Sequence, residues 1–153
     1  MEEPQEHIIP RYRVTVAYDG TDFKGWQKQP GLRTVQETVE EAVRRLAPEG
    51  AEIVIHGSGR TDAGVHANEF YFNVRTESAI PVESFPIALS SSKLPKEISV
   101  YSCEEVDYEF NARFDCVKKE YEYVIENTQI PSPFLYKRAF NHKYKIDVEL
   151  MNQ

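Results

Sequence analysis

Hydrophobic and polar residues alternate over positions 11–17, where Tyr12, Val14 and Val16 are set against Arg13 and Thr15. That is the period-two pattern of a strand with one buried face. The period then lengthens. Val35, Val39, Ala42, Val43 and Leu46 recur at helical spacing, and Thr34 with Glu37 makes a capping box that predicts where the helix starts. Pro48 and Gly50 stop it. Strands are predicted over 52–56, 69–75 and 98–103, with an irregular helix interrupted by Pro86 over 81–94.

The order strand, helix, strand, strand, helix, strand is that of the split βαβ arrangement. This is an α+β, ferredoxin-like or RRM-like fold with helices packed on one face of an antiparallel sheet. A further strand over 119–126, with Tyr121, Tyr123 and Ile125 on one face, and a short one within 134–143 extend that sheet. An amphipathic helix begins at Leu150.

The chain has 153 residues, 41% of them hydrophobic, enough for one core. The first ten residues are acidic and polar and read as a flexible leader without the apolar core of a signal peptide. No run approaches membrane-spanning length, so no membrane association is expected. Cys103 and Cys116 have neither metal nor disulfide spacing. Buried, inert thiols in a reducing cytoplasm are the simplest reading.

Chemistry concentrates in Gly57-Ser58-Gly59-Arg60-Thr61-Asp62-Ala63-Gly64-Val65-His66, a glycine-rich bend joining two predicted strands. Loops on a rigid scaffold are the usual place for reacting groups. A phosphate-cradling loop would close on Lys-Ser or Lys-Thr, which is absent, and Asp62 would repel the anion. A metal site could recruit His56, Asp62 and His66, but Arg60 would bring positive charge toward the ion. An Asx-type turn, with Asp62 capping backbone N–H groups and Arg60 solvated, remains open.

The same loop belongs to a longer series of blocks. Tyr18-Asp19-Gly20-Thr21-Asp22-Phe23-Lys24-Gly25-Trp26-Gln27 comes first, then Thr34-Val35-Gln36-Glu37, then Gly59 to Ala67, then Phe110-Asn111-Ala112-Arg113-Phe114, and finally Tyr121-Glu122-Tyr123. In order and spacing these resemble the TruA-type tRNA pseudouridine synthases from about Tyr12 to the C-terminus, the Asp62 block being the most specific.

Members of that family are longer. The resemblance therefore implies that residues 11–106 form the catalytic N-terminal domain and that 107–153 begin a second half, truncated here. It implies isomerisation of uridine to pseudouridine at positions 38, 39 and 40 of the tRNA anticodon stem-loop, by a homodimer, with no cofactor and no metal. Asp62 matches the nucleophile, Arg60 the cation that pairs with it, and Tyr121 the tyrosine that stacks on the target uracil and assists proton removal at C5. Lys24, Lys28, Arg33 and Arg113 are the candidate tRNA contacts. Trp26 reads first as a core plug and second as a stacking platform.

Charge pulls the other way, because the formal net value is −7 and RNA binders usually carry positive surface. Basic residues do cluster, at Lys24, Lys28 and Arg33, at Arg113, Lys118 and Lys119, and at Lys137, Arg138, Lys143 and Lys145. Acids gather in Glu2, Glu3 and Glu6 and along the helix at Glu37, Glu40 and Glu41. A noncatalytic RNA-binding or assembly fragment is the alternative.

Overall fold

The computed structural model describes residues 7–153. It divides into two compact units, Met1–Val117 and Lys118–Gln153. Most of the expected leader, including Glu2, Glu3 and Glu6, lies outside the described residues.

In the first unit, β1 (Arg11–Tyr18), β2 (Ile55–Gly57), β3 (Ala67–Arg75) and β4 (Ile98–Val106) form one antiparallel sheet in the order β2-β3-β1-β4. Helices α1 (Val35–Leu46) and α2 (Phe85–Ser91) complete the ferredoxin-like α+β arrangement. Strict alternation in β1 places Tyr12, Val14, Val16 and Tyr18 in the core and leaves the intervening residues half-buried. Val14 lies opposite Phe72 on one side and Cys103 on the other. The stripe Val35, Val39, Ala42 and Val43 seats α1 on this core, with Phe85 and Leu89 contributed by α2. Removing a fully buried ring such as Phe72 would cost about 3–5 kcal/mol.

Several expected boundaries move. The strand predicted over 52–56 pairs only at Ile55–Gly57, because β2 has a single neighbour, β3. Pro86 does not break a helix. A short 3-10 turn, Val82–Ser84, precedes α2, and Pro86 sits in the first turn of α2, where a missing N–H leaves no hydrogen bond unmade. The strands over 69–75 and 98–103 lengthen to Ala67–Arg75 and Ile98–Val106, since each pairs with β1 along most of its length.

Residues 107–117 belong to the first unit and pack on the sheet face opposite the helices. Ala112 N–H donates to the Asn73 side-chain oxygen at 2.7 Å, and Arg11 donates to the Phe110 carbonyl. Arg75 donates to the Tyr108 hydroxyl at 2.8 Å and stacks on its ring at 3.8 Å. Burial, reinforced by Arg75, lowers the Arg11 pKa.

In the second unit, β5 (Ile125–Glu126) and β6 (Phe140–Asn141) pair in parallel as a separate two-stranded sheet, followed by α3 (Val148–Met151). Residues 119–124 have no partner strand, so the strand expected from 119 shrinks to its last two residues. Tyr121 and Tyr123, expected on an inner face, are 75% and 77% exposed. No residue of 118–153 is buried.

Candidate active site

The Asp62 loop connects β2 to β3 and is held by the segment that leaves β1. The pairing of β1 with β3 shifts register between Val16 and Tyr18, a bulge of the kind that re-aims side chains beside functional loops. Tyr18 continues the alternation of β1 into the core, 4% exposed, with its ring against Trp26 and Phe70. Trp26, also buried, packs 4.2 Å from Phe70 between ring centroids. It is a core residue, not an exposed stacking platform.

Backbone groups join three layers here. The first N–H groups of α1, which have no partner within a helix, are satisfied from the β1–α1 connection. Val35 donates to Gly25 and Gln36 to Trp26, at 3.2 and 2.9 Å, while Thr34 Oγ1 accepts from Glu37. The same connection grips the Asp62 loop. Trp26 N–H donates to the Thr61 carbonyl at 3.1 Å, Gly64 N–H donates to the Phe23 carbonyl at 3.1 Å, and the Tyr18 and Thr61 hydroxyls lie 2.8 Å apart. Gly20 N–H donates to His66 Nδ1 at 3.0 Å.

The glycines permit this approach. A Cβ on Gly20 would fall 1.9 Å from the Val65 carbonyl oxygen, and one on Gly25, whose φ is +88°, 2.5 Å from that of Thr61. Only glycine allows backbone that close. Asp19 Oδ1 accepts from Thr21 N–H and Oγ1, an Asx turn that orients Gly20.

Inside this frame Asp62 is exposed at the surface of the bend, and its carbonyl accepts from Val65 N–H. Arg60 is exposed as well, and the two side chains form no ion pair with each other. No three His, Cys, Asp or Glu side chains gather as a metal-binding group among the described residues.

The expected RNA contacts separate into two kinds. Lys28 reaches Glu40, a buried carboxylate on α1, at 3.0 Å. Arg33 lies 3.6 Å from Glu97 and over the Phe23 ring at 4.0 Å. Both have structural work. Lys24 and Arg113 are exposed, Arg113 on a turn whose N–H groups are capped by Asn111 Oδ1. Tyr121 lies in the second unit. The anchoring contacts of Tyr18, Thr61 and His66 escaped the sequence reading, which placed Thr61 and His66 in the loop and weighed His66 only as a metal ligand.

The two segments that interlock here are those a family comparison matches. A family model described as tRNA pseudouridine synthase covers residues 14–115. The chain belongs to the tRNA pseudouridine synthase family. Proteins named tRNA pseudouridine synthase A are similar over nearly all of it. The one from Caldicellulosiruptor bescii is 42% identical over 140 residues, 92% of this chain and 56% of the relative. Those from Brevibacillus brevis and Aquifex aeolicus are 43% and 38% identical, over 95% and 94% of this chain and 58% of each relative. The chain thus spans a little over half the length of the relatives it matches.

Proposed function

We propose that this protein isomerises uridine to pseudouridine in tRNA, at positions 38, 39 and 40 of the anticodon stem-loop, with Asp62 as nucleophile. The observation that carries the reading is an exposed carboxylate on a bend whose backbone is bonded on both sides to the core of a pseudouridine synthase fold. A surface Asp used only as a turn cap would not require such anchoring.

In the proposed reaction the Asp62 carboxylate adds covalently to the ribose C1′ or the uracil C6. The N1–C1′ bond breaks, the base turns, a C5–C1′ bond forms, and the bond to Asp62 breaks, returning the free carboxylate. C5 gives up its proton and N1 ends protonated, so atoms balance without a cofactor or metal. Arg60 pairs with the carboxylate once RNA excludes water from the bend, favouring the ionised form. Tyr121 stacks on the extruded uracil. Extrusion costs a few kcal/mol, offset by contacts from Lys24 and Arg113 to the RNA backbone, Lys28 and Arg33 being engaged with Glu40 and Glu97. The protein acts as a homodimer in a reducing cytoplasm, the compartment that two cysteines without disulfide spacing fit.

The test is tritium release from tRNA labelled at uracil C5, with Asp62→Ala beside the unaltered chain. Asp62-dependent release is expected. A second reading, a noncatalytic RNA-binding or assembly fragment, draws on the absence of a buried residue in 118–153. No release from a chain that still binds tRNA would favour it, and release independent of Asp62 would refute the nucleophile assignment.

A further inference from the structure

The Asp62 carboxylate has no hydrogen-bond or ion-pair partner among the described residues, so only the backbone around it determines where it sits. On its N-terminal side the Thr61 carbonyl is held by Trp26 and the Thr61 hydroxyl by Tyr18. On its C-terminal side Gly64 is held by Phe23, and the chain is closed where His66 accepts the Gly20 N–H. A ring nitrogen that accepts an N–H carries no proton, so the Gly20 hydrogen bond requires an unprotonated Nδ1. Asp19 Oδ1 lies 3.2 Å from the same Nδ1 and also accepts from Thr21 N–H and Oγ1.

We propose that His66 is a positioning residue, whose unprotonated Nδ1 locks Gly20 against the end of the loop and so sets the attack position of Asp62, with the Tyr18 hydroxyl as its counterpart on the other side. This rests on the reading of Asp62 as nucleophile, and it assigns His66 a hydrogen-bond-accepting role in place of acid, base or metal-ligand chemistry. The imidazole matters through one acceptor atom. A side chain that puts an acceptor at the same place will replace it, and an isosteric apolar one will not. Asn carries its Oδ1 about where His carries Nδ1, so His66→Asn preserves the lock and His66→Leu removes it.

Two measurements test the proposal. In the 153-residue chain, a nitrogen–nitrogen coupling across the hydrogen bond should connect the Gly20 amide to His66 Nδ1. Amide exchange at Gly64 and Val65 should quicken in His66→Leu and stay slow in His66→Asn. In single-turnover reactions at saturating tRNA, His66→Leu and Tyr18→Phe should lower the rate of the chemical step roughly 10- to 100-fold. Affinity for tRNA should be unchanged, and His66→Asn should recover most of the loss. Leu and Asn variants that behave alike in exchange would overturn the inference. If Asp62→Ala turns over normally, or the chain shows no turnover, the proposed function is what fails, and the exchange comparison still decides the role of His66.

Discussion

At the scale of single residues, Gly20 is the most exacting position beside the proposed nucleophile. An added methyl group would meet the Val65 carbonyl oxygen at 1.9 Å, and this neighbour is backbone of the Asp62 loop itself. Gly20→Ala is therefore expected to destabilise the fold by about 1–3 kcal/mol and, below its melting temperature, to lose tritium release out of proportion to that cost. Thermal unfolding and the release assay on one preparation check both parts. Cys103 gives a second prediction. Burial first, and the neighbouring Glu104 second, push its thiol up from 9.0 to about 12. In the unfolded chain the thiol ionises first as pH rises, so the unfolded state sheds the proton while the folded state keeps it. Stability present below pH 9.0 is lost as pH climbs toward about 12. Tyr12, raised by burial, adds in the same direction. Denaturant unfolding of Cys103→Val should show a shallower alkaline decline than the unaltered chain.

At the scale of elements, the interesting contacts tie charge to helix α1. Lys28 was expected at an RNA contact, yet its ammonium neutralises Glu40, a carboxylate 6% exposed. Lys28→Met should therefore cost about 1–3 kcal/mol of stability by leaving that carboxylate unpaired, whereas Lys24→Ala should leave the melting temperature unchanged and weaken tRNA binding alone. Melting curves and binding titrations of the two variants separate these roles.

Elements were legible wherever period and partner agreed. Alternation in β1 and the apolar stripe of α1 report burial directly, because a two-residue or helical repeat has meaning only beside a core. The alternation of Tyr121 and Tyr123 misled, since a strand needs a neighbouring strand to pair with and neither residue has one. The site was half legible. Asp62 and Arg60 stood out by residue type, but the absence of an ion pair between them did not. Neither did the grip of Tyr18 and His66, because that grip is made of backbone donors and close approaches between segments more than forty residues apart in sequence. Asn73, buried and holding Ala112, left one clue, a polar residue inside the apolar run of β3.

At the scale of the whole molecule, every buried residue lies before Phe114, and the second unit buries none. Since ordering a chain costs about 1–2 kcal/mol per residue against burial, the cooperative melt belongs to the first unit. A chain ended after Val117 should unfold at nearly the same temperature as the 153-residue chain, by calorimetry or circular dichroism. A large drop would show that the second unit contributes to the core's stability after all.

The central strand and the glycine-rich grip both precede residues 27–33, which are exposed throughout. Cleaving the chain there would divide the molecule into a short peptide that carries the central strand and a remainder that carries Asp62. Neither piece could shape the loop alone, and mixing them would restore it. Fragment complementation is therefore expected, with recovery of the sheet signal by circular dichroism on mixing as its check.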